Sequence, residues 1–341
     1  MLAERLTSQG LAGPKFTDPV DVVERLLAVQ AQDGRGMRLA IRPRSKGVTA
    51  ADVEQALTAD RSLVVSWLNR GTLHLVRSED FPWLHALTVH RLAKTNETRL
   101  GQEGVSPSKA ELGAKTIVKL LANGPMGRDD LRKSLDSAGV PTAGQALVHI
   151  LLFTTIRHSI IRGPVSGAGQ QFVLAEDWLG PQPEIDPDRA AVELARRYLA
   201  GHGPADAREL ARWAGITLGL ARKAFAGIAG EISERKDGLF VLKKGPKKEP
   251  LPPPRLLGSF DPLLHGWAKR DFLIPGEDDR AVVTTNGIFR PTILIDGQVA
   301  GTWTMPSTGV ELKPFTPLDD KTEKALASET KAVQKYLGVD D

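Results

Sequence analysis

The sequence predicts an α+β chain in which a helix–helix–hairpin unit occurs three times ahead of a strand-rich C-terminal unit. Three observations carry that prediction. Two proline-rich stretches, Leu179–Asp188 and Gly245–Pro254, remove enough backbone donors to break helix and ladder alike, and so mark linkers. Between them, and again before them, helical periodicity gives way to alternating strands around a glycine-containing turn. Beyond Pro254 the pattern changes to short runs of period two.

Residues 1–105 form the loosest unit, with helices expected at about 2–9, 19–29 and 50–58. Strands Leu63–Trp67 and Thr72–Val76 follow around Asn69-Arg70-Gly71. In residues 106–180 an amphipathic helix, Ala110–Leu121, is followed by Arg128–Ser137 and a Gly139-Val140-Pro141 turn. Thr142 is expected to cap an apolar helix through Phe153, and strands Ile156–Arg162 and Gln171–Leu174 flank a glycine-rich tip at 163–169.

Residues 188–245 give the clearest pattern. Val192, Leu194, Ala195 and Leu199 mark the inner face of a helix over Ala190–Leu199. Asp206 with Glu209 makes a capping box for Arg208–Trp213, Gly215 breaks the chain, and Thr217 caps Leu218–Ala226. Asp237-Gly238 is a tight turn between strands within Ile232–Leu242. Helix, helix-turn-helix and hairpin is the winged-helix order, so the chain reads as three tandem winged-helix domains. They share element order, not a close sequence repeat.

Residues 251–318 are read as a small β-barrel with strands Arg280–Thr284, Pro291–Ile295, Gln298–Trp303 and Gly309–Phe315. Asp296-Gly297 forms a hairpin turn, and residues 319–341 are a charged helical tail.

Composition excludes several chemistries. The 341 residues contain no cysteine, so disulfides, thiolate zinc sites and cysteine nucleophiles are absent. The seven histidines show no metal-ligand spacing, so neither metal nor cofactor is expected. No apolar run reaches the ~18–20 residues that span a bilayer, and the start lacks a signal pattern. A soluble, monomeric, cytoplasmic protein is expected. Basic residues outnumber acidic ones by 45 to 41, a mild bias compatible with nucleic acid.

The most informative stretch is Leu26–Asp33, Leu-Leu-Ala-Val-Gln-Ala-Gln-Asp, which places Gln30 and Gln32 two positions apart where a helix should end. In an extended segment both amides face one side and can grip one small polar object such as a water. Some forty residues on, Thr72 and His74 share one strand face. They are candidates to support that water or to touch a phosphate, as an alternative to a structural bond within the strand. Asp33 is a candidate second carboxylate, or a residue that fixes the turn.

The chain is similar to the AlkZ/YcaQ group of winged-helix DNA glycosylases. The resemblance rests on Arg5-Leu6, Gln9-Gly10-Leu11, Leu26–Asp33, Trp67–Val76, Leu257–Leu264 and Asp296–Trp303, in the family's order along nearly the whole chain. It implies three winged helices and a β-barrel arranged in a C shape that cradles double-stranded DNA. The family's catalytic motif is Gln–aliphatic–Gln, matched by Gln30-Ala31-Gln32; a sister branch carries Asp at the second position. The implied activity is hydrolysis of the N-glycosidic bond of alkylated purines, bulky N7 adducts and interstrand crosslinks among them.

The chemistry suits these residues. A glutamine amide accepts hydrogen bonds but takes no full proton near neutral pH. An N7- or N3-alkylated purine is already cationic and leaves without a general acid. What remains is to place a water against an oxocarbenium-like sugar. No lysine lies in the motif to form a Schiff base, so a monofunctional hydrolase is expected.

Phosphate contacts are expected from Arg35, Arg38, Arg42, Arg44 and Lys46, a run with no acidic residue, and from Arg70 at the first hairpin turn. In residues 188–244, 11 basic residues face 7 acidic ones, and Arg222 and Lys223 sit at the recognition-helix position. Two other readings compete with the enzyme: a non-catalytic DNA-binding regulator, and a winged-helix scaffold for protein partners.

Overall fold

The structure, a computed structural model, describes residues 1–166, 169–274, 276, 279–307 and 309–339. The chain packs into two compact units, one of Met1–Val53 with Ala191–Asp341 and one of Glu54–Ala190. The crossings fall within helices Ala50–Thr58 and Pro187–His202.

In the first unit, Asp18 caps helix Pro19–Leu26, which ends because Leu27 adopts a φ of 64°. The expected helix to residue 29 is therefore shorter, and Val29–Gln30 is extended. Asp33 then caps a helix absent from the sequence reading, Gly34–Ile41. Two glycines and two arginines in eight residues masked its apolar side, where Met37, Leu39, Ala40 and Ile41 are buried.

Past the second crossing the elements fall where local capping predicts them. Asp206 and Glu209 close the capping box on Ala207–Ala214, Gly215 takes the left-handed conformation, and Thr217 caps Leu218–Gly227. The hairpin pairs Ile232–Glu234 with Phe240–Leu242. An aromatic core of Tyr198, His202, Trp213 and Trp267 fills the space beneath. Arg5 docks the first helix, Leu2–Ser8, by placing its guanidinium 4.7 Å from the Trp267 ring and 4.5 Å from that of Phe272.

Four antiparallel strands follow in the order Glu311–Pro314, Gln298–Thr304, Thr292–Ile295, Arg255–Leu257. Among the described residues this ladder is open. Arg255–Leu257 was not foreseen, because it abuts a proline run. Arg280–Thr284 is not a strand: Asp279–Val282 is a helical turn. The Asp296-Gly297 turn is as expected, with both residues at positive φ, 49° and 80°, matching the twist of its flanking strands. The C-terminal segment is an integral helix, Asp320–Leu337, whose Leu326, Val333 and Tyr336 join Leu39, Leu256, Ile293 and Trp303 in one core.

In the second unit, the hairpins Leu63–Leu68/Thr72–Arg77 and Ile160–Ser166/Gly169–Leu174 join through a Val65–Arg162 pair. In the sheet they form, Leu63–Leu68 lies between Thr72–Arg77 and Ile160–Ser166, and all six of its residues are buried, as expected of an interior strand covered on both faces. Helix Ala146–His158 runs past the expected strand start at Ile156 and stops at Ser159, which is left-handed. Thr142 does not cap it; its hydroxyl donates to Asp136 at 2.6 Å. Helices Phe81–Thr88, Ala93–Gln102 and Ala175–Leu179 complete the unforeseen elements. Gly167 and Ala168, within the expected tip, lie outside the described residues.

Candidate active site

The Gln30-Ala31-Gln32-Asp33 segment links an extended strand to a helix. Gln30 is buried, with 5% of its surface exposed, whereas Gln32 is exposed. The extended run is only two residues long, so the amides sit in unequal surroundings rather than on one uniform face. Among the described residues neither amide has a hydrogen-bond partner. Bonding to the end of the preceding helix, the bland role for these glutamines, is therefore not what they do. Gln30 is a buried residue whose amide has no protein partner among the described residues, which suits a ligand or a water.

Asp33 is occupied. Its Oδ1 accepts from the backbone of Arg35 at 2.9 Å and of Gly36 at 3.2 Å, and its Oδ2 accepts the Ser259 hydroxyl. It fixes the direction in which the glutamines leave the strand. The same contact requires Gly36: a Cβ there would lie 2.4 Å from the Ser259 carbonyl oxygen. Ser259 carries no role in the sequence reading, although Leu257–Leu264 was one of the segments that stood out; only the structure shows that it braces Asp33.

Two of the expected phosphate ligands need correction. Arg44 is fully buried: Nη1 and Nη2 bind Asp261 at 2.9 and 2.8 Å, Nε binds the Gln9 carbonyl, and Nη1 also binds that of Ala40. Arg42 pairs with buried Glu329 and donates to the Leu256 carbonyl at 2.9 Å. Both arginines brace the C-terminal half of their unit from inside. An acid-free run in sequence concealed acids that arrive more than 200 residues later. Arg35 and Lys46 are exposed, and Arg38 is half-buried with Nη1 donating to the Gly34 carbonyl at 2.8 Å. Arg222 and Lys223 are exposed on helix Leu218–Gly227.

In the second unit Arg70 is exposed at the hairpin turn, where Asn69 and Gly71 have φ of 53° and 87°. His74 is buried and its Nδ1 lies 2.9 Å from the Thr72 carbonyl, the bland bond within the strand. The Thr72, Ser66 and Asn69 side chains have buried polar atoms without partners among the described residues. Register sets Ser66 opposite His74 and Leu68 opposite Thr72, so Ser66, Thr72 and His74 share one face.

Among the described residues no group of three or more His, Cys, Asp or Glu could hold a metal ion. No helix among them is long and apolar enough to cross a membrane.

Comparison with known proteins adds independent findings. A family model described as DNA glycosylase AlkZ-like matches residues 23–336. An interstrand DNA cross-link repair glycosylase of Streptomyces sahachiroi is 29% identical over 364 aligned positions, covering 99% of this chain and 96% of that protein. The solved structure of the Streptomyces sahachiroi DNA glycosylase AlkZ matches with a TM-score of 0.82 at 26% identity, over 99% of this chain and 96% of that one.

Proposed function

The chain belongs to the AlkZ-like DNA glycosylase family, and on that premise we propose that it hydrolyses the N-glycosidic bond of alkylated purines in double-stranded DNA, bulky N7 adducts and interstrand crosslinks included. The observation that carries this reading is the pair of glutamine amides, Gln30 and Gln32, left without protein partners beside a rigidly capped helix. The similarity to a protein named for interstrand cross-link repair supports the crosslink as substrate.

In the proposed reaction the amides hold one water against C1′. Its oxygen bonds to C1′ as the C1′–N9 bond breaks. The bonding pair neutralises the cationic purine, one proton of the water stays on the new C1′ hydroxyl, and the other passes to bulk water at the exposed Gln32 side of the segment. Neither a general acid nor a covalent enzyme intermediate is required. The amides contribute by position and by an oriented dipole that favours the developing sugar cation. Asp33 acts through the chain direction it fixes, and Thr72 and His74 are proposed as supporting groups in the second unit.

The remaining cations, exposed Arg35, Arg70, Arg222 and Lys223 and half-buried Arg38, are proposed to touch phosphate. The architecture is read as three winged-helix-type units followed, among the described residues, by an open, four-stranded antiparallel sheet in place of a closed barrel, acting as one copy in the cytoplasm. Incubation with duplexes carrying 7-methylguanine or an N7–N7 crosslink tests the reaction. Release of free base and an abasic site is expected; binding without release from any alkylated duplex would leave a non-catalytic DNA-binding protein instead.

A further inference from the structure

Arg162 lies on strand Ile160–Ser166 with its guanidinium 5.0 Å from the Phe172 ring and 5.5 Å from that of Trp67, two rings stacked 6.2 Å apart. Both rings are buried, at 1% and 5% exposure, so they offer no face to a nucleobase and serve as a floor for the cation. Arg162 itself is half-buried, its Nε is enclosed without an acceptor, and no carboxylate pairs with it among the described residues. The amide nitrogen of Gln170, on the adjoining strand and the same sheet face, is a second enclosed donor without an acceptor.

The neighbourhood adds positive charge. Met126 exchanges backbone hydrogen bonds with Phe172 at 3.1 and 2.8 Å, which brings Arg128, two residues on, to the edge of this site. Arg128 opens helix Arg128–Ser137, whose N-cap, Gly127, supplies no side-chain acceptor. The first-turn acids Asp129 and Asp130 face Arg132 and Lys133 instead. Burial, with Arg128 adding repulsion, pushes the Arg162 guanidinium down to about 10, so at neutral pH it remains a cation in want of an anion.

We propose that Arg162, with Gln170 and Arg128, forms a seat for one backbone phosphate of the DNA strand. Among the described residues the site presents unpaired donors and positive charge with no carboxylate paired to Arg162, which selects an anion rich in acceptor oxygens. Arginine's planar fork suits a phosphodiester, and the aromatic floor fixes its orientation in advance. This proposal rests on the DNA-glycosylase reading and adds to it a contact in the second unit, away from the glutamine segment in sequence.

Binding to a duplex containing a tetrahydrofuran abasic analogue, followed across a salt series, tests it. Wild type is measured first: if it neither binds that duplex nor excises 7-methylguanine, the DNA reading itself fails. With wild type active, Arg162→Met keeps the stem over the rings and removes the charge. The slope of log K against log salt should fall by roughly 0.9, and Arg162→Lys should restore most of it. Gln170→Ala should weaken binding with the slope unchanged. A folded Arg162→Met protein with the wild-type slope would overturn the proposal and leave Arg162 a packing residue. Should Arg162→Met fail to fold, exposed Arg128→Gln decides with Gln170→Ala: wild-type affinity and slope in both overturn it.

Discussion

Arg44 and Asp261 form a two-pronged ion pair at 2.8 and 2.9 Å in which neither side chain has any solvent exposure. The two residues lie 217 positions apart, and the pair joins the turn that follows helix Gly34–Ile41 to Leu257–Leu264. Asp261 Oδ1 also accepts from the Leu263 backbone at 3.0 Å, so each charge is met by further hydrogen bonds.

Removing one partner leaves the other as a buried, unpaired charge. Arg44→Ala and Asp261→Asn should each lower unfolding free energy by about 3–5 kcal/mol, read as an earlier denaturant midpoint. A phosphate ligand would behave differently, with stability kept and the salt dependence of DNA binding reduced; that pattern in Arg44→Ala would reverse the structural assignment.

Asp33 offers a separation of cap from catalyst. Asn and Asp are comparable N-caps, so Asp33→Asn should stay within a few tenths of a kcal/mol of wild type and keep excision within a few-fold. Asp33→Ala removes the cap and should cost about 1 kcal/mol. Loss of excision in a stable Asp33→Asn protein would make the carboxylate a chemical participant.

Exposed and interior arginines should part company in a salt series. Arg35→Gln, Arg222→Gln and Lys223→Gln are each expected to reduce the log K against log salt slope by roughly 0.9 without changing the melting temperature. Arg42→Gln leaves buried Glu329 without its principal partner and should destabilise the fold instead. The wild-type slope in all three exposed variants would mean that those residues face only solvent.

Two histidines give the fold an acid limit. Burial pushes His85 down to about 4 and His202 down to about 3, against an ordinary value of 6.5. Between those values the unfolded chain binds protons that the folded chain does not, so stability falls as pH drops from 6.5 toward 4. Each group is worth about 3 kcal/mol across that window. Urea midpoints at pH 7, 5.5 and 4.5 should decline, and His85→Gln, which can still donate to the Thr155 carbonyl, should flatten part of the decline. A midpoint constant from pH 7 to 5 would contradict the burial argument.

What was legible in the sequence was local. Capping at Asp206 and Thr217 and the Asp296-Gly297 turn are set by residues within a few positions of one another, and they are where they were expected. What stayed hidden was long-range. The partners of Arg42 and Arg44 come from residues 329 and 261, and periodicity carries no sign of such pairing. Helix Gly34–Ile41 was missed for a related reason. Gly36 weakens the helical pattern because its missing Cβ makes room for Ser259, a tertiary demand that overrides local propensity. At the candidate site the motif letters were readable, whereas the unequal burial of Gln30 and Gln32 depends on where the helix restarts.

That inequality sharpens the mechanistic test. Gln30, a buried residue without a protein partner for its amide among the described residues, is the better placed to hold a water; Gln32, exposed, faces bulk solvent. Losing one positioned polar group costs on the order of 10²-fold in rate, about 2.7 kcal/mol. Gln30→Ala should therefore lower single-turnover excision of 7-methylguanine by that order, and Gln32→Ala by the same or less. DNA affinity should change little, because phosphate contacts dominate it. If both amides grip one water, they act as a unit, and the double variant should lose much less than the product of the single losses. A full multiplicative loss would mean that the two amides act separately on the reaction. Wild-type rates in both single variants, with binding intact, would remove the glutamines from the chemistry altogether.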